Sequence, residues 1–194
     1  MKTNLSIFAA AAFSLFSVAS QAAPVVSSGL AGSAYSQSAA WNGNTAQTAF
    51  NGGGWNSGDF AKAWLQVDLG QVLDLSGLSL VAKRLPRTGF SSFDVYVSNT
   101  AIGGAWGQLT AAASYAGSVT HDEALNLNFS GTGRFVELVV VNGNGFGGGN
   151  NSWTAVGDVK VFGANPAQVP EPASYALVAL ALGAAALARR QRRA

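Results

Sequence analysis

The chain has 194 residues, of which 48% are hydrophobic and only 10% are charged, and its formal net charge is +2 at pH 7. It contains no cysteine, which excludes disulfide bonds, thiol chemistry and cysteine-based metal sites. The positive charge does not indicate a nucleic-acid partner, because five of the 11 basic residues lie in two terminal segments whose removal would leave a net charge of −3.

Residues 1–22 have the pattern of a secretory signal peptide. Lys2 precedes an apolar stretch over residues 5–18, and Ser20-Gln21-Ala22 follows as a small-x-small cleavage site. The apolar stretch is too short for a transmembrane helix. We therefore expect export, with cleavage after Ala22.

Residues 23–164 are predicted to form one all-β domain. Alternating or continuous apolar runs of strand length, bounded by Gly, Asn and Ser, occur at residues 64–69, 73–81, 93–98, 125–129, 135–141 and 156–162. In the first run Leu65, Val67 and Leu69 share one face, which we expect to be buried. Short period-2 segments of this kind are typical of an antiparallel β-sandwich.

Four of these segments resemble the discoidin family, also called coagulation factor 5/8 type C. They are Trp64-Leu65-Gln66-Val67-Asp68-Leu69-Gly70, Phe93-Asp94-Val95-Tyr96-Val97-Ser98 with Trp106 downstream, Arg134-Phe135-Val136-Glu137-Leu138, and Asp158-Val159-Lys160-Val161-Phe162-Gly163. The resemblance implies a galactose-binding-like jelly roll, a fold class that includes carbohydrate-binding modules. The chain departs from the family pattern where Asp158 replaces the usual glutamate and Asn51-Gly52 replaces the usual Asp-Gly.

The same resemblance implies a structural calcium ion between the early loop and the last strand. Asn51 and Asp158 occupy the matching side-chain positions, and carboxylate and carbonyl oxygens are the ligands that Ca²⁺ prefers. Asparagine in place of aspartate removes a charge and weakens such a site. The alternative is a metal-free pair of hydrogen-bonded loops.

The loop over residues 83–90 is the densest basic cluster outside the termini. Arg84 and Arg87 are candidates to donate hydrogen bonds to sugar hydroxyls or to an acidic polysaccharide. Phe90 is a candidate to stack on a sugar ring. The alternative is a solvated hairpin loop in which Phe90 is partly buried.

The five tryptophans fall into two groups. Trp64 and Trp106 match structural positions of the family and are assigned to the core or its edge. Trp41, Trp55 and Trp153 lie in loops rich in Asn and Gly and are better candidates for ligand contact. Trp153 completes the predicted carbohydrate-binding set with Arg84, Arg87 and Phe90.

No pattern in the chain predicts catalysis. The single histidine, His121, lies beside Asp122 and Glu123, a combination that suits a metal or acid–base site but is more typical of a solvated turn. No nucleophile has an evident base partner, and nothing in the sequence pairs two carboxylates for glycosidase chemistry. We therefore expect a protein that is not an enzyme.

The C-terminus has three parts in a fixed order. A linker over residues 165–172 ends in Val169-Pro170-Glu171-Pro172, an uncharged apolar run covers residues 173–188, and residues 189–194 carry four arginines. A helix over the apolar run would be roughly 24 Å long, which only marginally spans a bilayer core about 30 Å thick. The arginines would stay on the cytoplasmic side.

This arrangement resembles the PEP-CTERM sorting signal of Gram-negative bacteria. The resemblance implies recognition by an exosortase-type processing enzyme, with the precursor held transiently in the inner membrane. The mature protein is then expected at the cell surface or in the extracellular matrix. A short tail anchor that is never cleaved is the alternative.

Together the segments predict an exported, noncatalytic protein that binds carbohydrate, with exopolysaccharide as the expected partner and no role for nucleic acid. The alternative is a structural protein of a biofilm matrix that has no discrete ligand.

Overall fold

The structure, a computed structural model, describes residues 23–58, 62–82, 88–117, 123–141 and 153–165. The predicted signal peptide, the Pro-Glu-Pro motif, the apolar run and the basic tail lie outside these residues. The strands are β1 (Tyr35–Gln37), β2 (Gly54–Asn56), β3 (Lys62–Ala82), β4 (Thr88–Gly89), β5 (Ser92–Ser98), β6 (Ala113–Ala116), β7 (Glu123–Val141) and β8 (Trp153–Ala164). One α-helix, α1 (Ala46–Phe50), and two 3-10 turns, Gly32–Ala34 and Trp106–Gln108, complete the described elements.

The strands hydrogen-bond in the order β2-β8-β3-β7-β5-β6, with β1 added to β3 and β4 added to β8. All of these pairings are antiparallel except that of β4 with β8. The short helix α1 precedes β2, and the Thr45 hydroxyl caps it by accepting a hydrogen bond from the backbone N–H of Thr48.

The two longest strands, β3 and β7, bend in the middle and so contribute to both layers. Asp68 pairs with Phe135 and Leu73 pairs with Gly133, so the register shifts across the segment between them. Gly70 in that segment has a φ of 77°, a conformation that glycine adopts without a steric penalty. The half of β3 before the bend joins a layer with β5, and the half after it joins a layer with β8.

The bend gives the resulting β-sandwich two distinct ends. Because both strands fold back, the paired residues Lys62 and Val141 lie at the same end as the paired residues Ala82 and Glu123. We call this the loop end, since most of the connections between strands leave from it. The connection from β5 to β6 leaves from the other end, where Ser98 pairs with Phe135. The opposite end, which contains Gly70 and Gly133, is the bend end.

One hydrophobic core fills the space between the layers, and the predicted face is confirmed. Leu65, Val67 and Leu69 are all buried in it. Further along β3 the buried positions change from Leu73 and Leu75 to Leu78 and Leu80, because the register shifts between Leu75 and Gly77. This irregularity at Ser76-Gly77 keeps all four leucines facing inward.

The outer face of the layer formed by β3, β7 and β5 is also covered. Tyr96, Ile102 and Val139 form a second buried cluster, and Trp64 and Trp106 pack against it. The connection from β5 to β6 supplies Ile102 and Trp106. Consequently β7 is buried on both faces over residues 136–140, as its nearly continuous apolar sequence there predicts.

No helix among the described residues is long and apolar enough to span a membrane. The predicted span over residues 173–188 falls outside them.

Candidate functional site

The loop end gathers the termini of several strands into one place. After the connection over residues 83–87, β4 lies parallel to the start of β8, where Thr88 pairs with Trp153. Ser92 and Lys62 both pair with Val141 on neighbouring strands. Segments that are far apart in sequence therefore converge here, which is the usual way a rigid scaffold carries a binding site.

Trp41 presents a large aromatic surface at this end and is 46% exposed. It begins a tight turn in which Asn42 and Gly43 both have positive φ, and the turn is closed by a hydrogen bond from the Asn44 N–H to the Trp41 carbonyl at 3.0 Å. Two successive positive φ values are the signature of a type I′ turn, for which Asn-Gly is the preferred pair. The local sequence thus fixes the backbone that carries the ring.

Contacts with β2 hold the Trp41 turn in place. The Trp41 N–H donates to the Asn56 carbonyl at 2.9 Å, and Gly58 packs against the Trp41 side chain. The Asn56 side chain in turn accepts a hydrogen bond from the Gly58 N–H at 2.8 Å. Both the N–H and the carbonyl of Trp41 are therefore hydrogen-bonded. Because the backbone that carries the ring is already held in place, ligand binding there costs less conformational entropy.

A buried polar pair joins β2 to β8 beneath this turn. The hydroxyls of Ser57 and Thr154 lie 2.8 Å apart, and the Thr154 N–H donates to the Ser57 hydroxyl at 3.1 Å. Both residues are almost fully buried. They serve the scaffold of the loop end and are not accessible to a ligand.

The expectation that Phe90 stacks on a sugar ring does not hold. Phe90 is buried, and its ring packs edge-on against Phe93 and Tyr115 with centroid distances of 5.5 and 6.0 Å. Stacking on a ligand requires an open ring face, whereas this ring belongs to the core. The alternative of a buried Phe90 describes the residue better, although the burial is complete.

Trp55 is not a ligand-contact residue either. It is buried at 1% exposure, and its indole N–H donates to the Ala39 carbonyl at 2.8 Å. Trp64 and Trp106 are structural, as the resemblance implies, because both pack against the second cluster. Among the tryptophans whose side chains the structure describes, Trp41 alone combines high exposure with a place at the loop end.

Arg84 and Arg87 lie outside the described residues, and so does the side chain of Trp153. The flanking residues show where their segments begin and end. Ala82 and Thr88 border the arginine segment at the loop end, and the Trp153 backbone pairs with Thr88 there. The roles of these three side chains stay predictions.

Asn51 lies at the end of α1, and its side chain is committed to hydrogen bonds. Its Oδ1 accepts from the Gly29 N–H at 2.8 Å, and its Nδ2 donates to the Gln47 carbonyl at 2.7 Å. A longer contact of 3.4 Å links Nδ2 to the Tyr35 hydroxyl. The amide thus ties the N-terminal segment to α1.

Asp158 lies opposite the residues that follow Asn51. Its N–H donates to the Gly53 carbonyl at 2.6 Å, and its carboxylate Oδ2 accepts from the Lys160 ammonium at 2.7 Å. Within the described part of the chain, no three His, Cys, Asp or Glu side chains come close enough to hold a metal ion. The two predicted ligands therefore border one junction, but each already has protein partners.

A buried carboxyl group that was not predicted from the sequence lies in the second half of β7, after the bend. Glu137 is fully buried between Gln66 and Tyr96, its register partners on β3 and β5. Its Oε2 accepts from the Gly104 N–H at 3.0 Å, while Gln66 Oε1 accepts from the N–H groups of Ile102 and Gly103. The sequence does indicate such a group, because a glutamate lies within the otherwise apolar run 135–141.

Burial raises the pKa of Glu137 to about 7, and the N–H groups of Gly104 and Gly103 only partly oppose this effect. The carboxyl is enclosed by the Ile102–Gly104 backbone, and its Oε1 has no hydrogen-bond partner among the described residues. Such a group anchors a loop and has no path to a substrate. His121, the other candidate for acid–base chemistry, lies outside the described residues.

Comparison with protein families gives two matches. Residues 24–159 match the F5/8 type C domain, and residues 168–193 match the PEP-CTERM protein-sorting motif. No curated protein sequence matches the chain.

The fold is similar to those of solved sugar-binding modules. Chitosan-binding module 1 from a chitosanase/glucanase of Paenibacillus sp. IK-5 superposes with a TM-score of 0.55 at 19% identity, covering 74% of this chain and all of that one. The lectin domain of lectinolysin, complexed with Lewis B antigen, gives 0.51 at 21% identity over 72% of this chain and 96% of that one. The family 32 module of NanJ from C. perfringens, complexed with galactose, gives 0.51 at 13% identity over 66% and 91%. At these identities the similarity establishes the fold.

Proposed function

The chain belongs to the F5/8 type C domain family, and on that premise we propose that it is an exported, noncatalytic protein that binds carbohydrate at the loop end of its β-sandwich. The observation that carries the proposal is the half-exposed Trp41 ring on its rigid turn. Aromatic faces supported by a fixed backbone are what a sugar ring needs for stacking.

The ligands of the similar structures support a glycan partner. Those modules bind chitosan, Lewis B antigen and galactose respectively, so the shared fold is compatible with several sugars. For this chain we propose an exopolysaccharide of the surrounding matrix. In this proposal Arg84 and Arg87 would supply planar donors that favour an acidic polymer, and Trp153 would offer a second ring.

The sorting motif supports the proposed location. A match over residues 168–193 implies export and processing at a membrane. We propose that an exosortase-type enzyme acts near Glu171 and that the mature protein stays at the surface or in the extracellular matrix of a Gram-negative cell.

A binding assay on the full-length protein, purified in mild detergent, tests the function. A glycan array identifies a ligand, and pull-down on that immobilised polysaccharide then compares Trp41→Ala and Arg87→Ala with the wild type. Val72→Ala is a matched control, because Val72 is 44% exposed but lies at the bend end. We expect both loop-end variants to lose at least several-fold affinity and the control to lose none.

Two outcomes oppose the proposal. Unchanged binding by Trp41→Ala and Arg87→Ala would remove these residues from the site. A blank array together with no retention on matrix polysaccharide would favour the alternative, a structural matrix protein without a discrete ligand.

A further inference from the structure

The junction between the Asn51 loop and β8 holds a cation that belongs to the chain itself. Lys160 lies two residues after Asp158 on β8, across an irregularity in the pairing of β8 with β3. The ammonium Nζ lies 2.7 Å from Asp158 Oδ2. This is the distance of a charge-assisted hydrogen bond, so the positive charge of the ammonium lies directly beside the carboxylate.

The remaining groups at the junction are arranged for hydrogen bonding and not for metal coordination. The other oxygen of Asp158, Oδ1, points toward Gly52, where an added Cβ would come within 3.9 Å of it. The Asn51 oxygen is engaged by the Gly29 N–H, and the Gly53 carbonyl is engaged by the Asp158 N–H. Together with Asp158 Oδ2, which accepts from Lys160, three potential oxygen ligands thus already accept hydrogen bonds from the protein.

The charge balance at the junction also disfavours a divalent ion. Protein calcium sites collect six to eight oxygens and usually several carboxylates. Here one carboxylate is paired with one ammonium, and no three His, Cys, Asp or Glu side chains of the described residues come close enough together to hold a metal ion. A calcium ion that approached the Asp158 carboxylate would be repelled by the Lys160 ammonium at short range.

We infer that the Lys160 ammonium is the resident cation of this junction, standing where the family resemblance places calcium, and that the domain folds without a metal ion. The bond from the Asp158 N–H to the Gly53 carbonyl then performs the structural task of the metal, which is to join the early loop to the last strand. Asp158 adopts a φ of 43° there, which a non-glycine residue adopts only at a cost that its contacts must offset.

The test compares melting temperatures of the full-length protein, purified in mild detergent, in chelator, in calcium chloride and in magnesium chloride. Lys160→Met removes the charge and keeps the aliphatic length, while Lys160→Arg keeps the charge and is the matched control. We expect the wild type and Lys160→Arg to melt alike in all three solutions. Lys160→Met should melt about 2–4 °C lower in chelator, and calcium should raise its melting temperature more than magnesium does.

Titration calorimetry with calcium chloride gives a second readout that does not depend on stability. The wild type should show no saturable heat, whereas Lys160→Met should show weak saturable binding because its Asp158 carboxylate is no longer neutralised. Calcium-specific stabilisation or saturable binding in the wild type would overturn the inference. It would also be overturned if Lys160→Met melted like the wild type in chelator or gained no response to calcium.

Discussion

Arg134 donates two parallel hydrogen bonds to Asp68, from Nε to Oδ1 at 2.7 Å and from Nη2 to Oδ2 at 2.8 Å. The pair joins β3 to β7 where the two strands enter the bend, next to the register shift that follows Asp68. The Asp68 carboxylate also accepts from the Gly70 N–H at 2.8 Å, which supports the positive φ of that glycine. The two parallel hydrogen bonds fix the orientation of the Arg134 and Asp68 side chains as well as the distance between them.

The first prediction concerns acid stability. The hydrogen bonds from Arg134 hold the pKa of Asp68 below its usual 3.8, although burial opposes them. A lowered folded-state pKa contributes stability above the unfolded pKa, and that contribution is lost as the pH falls through the folded pKa. Asp68→Asn should therefore lower the urea midpoint at neutral pH, and the difference from the wild type should shrink in strong acid. A difference that is constant with pH would contradict this account.

The second prediction concerns Glu137, whose pKa is raised in the folded state. The folded protein retains a proton between about pH 4.5 and about pH 7 that the unfolded chain has released, so stability falls as the pH rises through this window. The full effect is of the order of 3 kcal/mol. Glu137→Gln should lose this dependence.

The readout for Glu137→Gln is the slope of the unfolding free energy against pH, measured by urea titration. The absolute free energy of unfolding is less informative, because the substitution also places an amide nitrogen where Glu137 has an oxygen without a partner among the described residues. A buried nitrogen without a partner costs about 1–3 kcal/mol at every pH. The wild type and the variant differ at this one position, so the difference between their pH profiles reports on Glu137. Parallel pH profiles would show that Glu137 does not titrate in this window.

The third prediction concerns two valines on β3. Val67 is fully buried between the layers, whereas Val72 is 44% exposed at the bend. Val67→Ala should cost about 2–4 kcal/mol through lost transfer energy and the cavity left behind. Val72→Ala should change the free energy of unfolding by less than about 0.5 kcal/mol. Equal losses, measured by denaturant titration, would mean that the core is placed on the wrong face.

The fourth prediction concerns two glycines near the bend of β7. A Cβ at Gly133 would collide with Val97 Cγ1 and lie 3.2 Å from the Ser98 carbonyl oxygen, whereas a Cβ at Gly131 would meet nothing within 4 Å. Gly133→Ala should destabilise the domain by about 1–3 kcal/mol through overpacking. Gly131→Ala should be neutral or slightly stabilising. Thermal melts of the two variants, which differ by two positions, isolate the steric effect.

The fifth prediction concerns sorting. Glu171→Ala changes the motif between the two prolines and should leave the protein in the membrane fraction with its arginine tail intact. Gln191→Ala lies outside the motif and should be processed like the wild type. Mass spectrometry of the surface fraction is the measurement. Wild-type protein that retains Arg193 there would exclude removal of the tail.

The strands and their buried faces were predictable because period-2 alternation is a local property. Leu65 and Val67 are buried as their spacing predicts. The burial of Phe90 and Trp55 was not predictable from loop composition, because it depends on partners elsewhere in the chain. The Phe90 ring meets Tyr115, and the Trp55 indole meets the Ala39 carbonyl.

The contacts of Glu137 and Lys160 were likewise only partly predictable from the local sequence. Glu137 was visible as a charge within an apolar run, but the backbone that encloses it belongs to a loop more than 30 residues earlier. The Lys160 contact with Asp158 spans only two residues, yet the family resemblance implies metal coordination by Asn51 and Asp158 and no role for Lys160. The exposed Trp41, in contrast, begins an Asn-Gly turn whose conformation the local sequence predicts.

The first and last described segments of the chain meet at one end of the domain. The Gly163 N–H donates to the Pro24 carbonyl at 3.1 Å, and Ala164 pairs with Asp74, so the first and last described residues lie side by side toward the bend end. The 12 residues of β8 then extend about 35 Å to the loop end. Attachment through the C-terminal segment would therefore hold the domain at the end opposite Trp41 and would leave the proposed binding surface uncovered by the point of attachment.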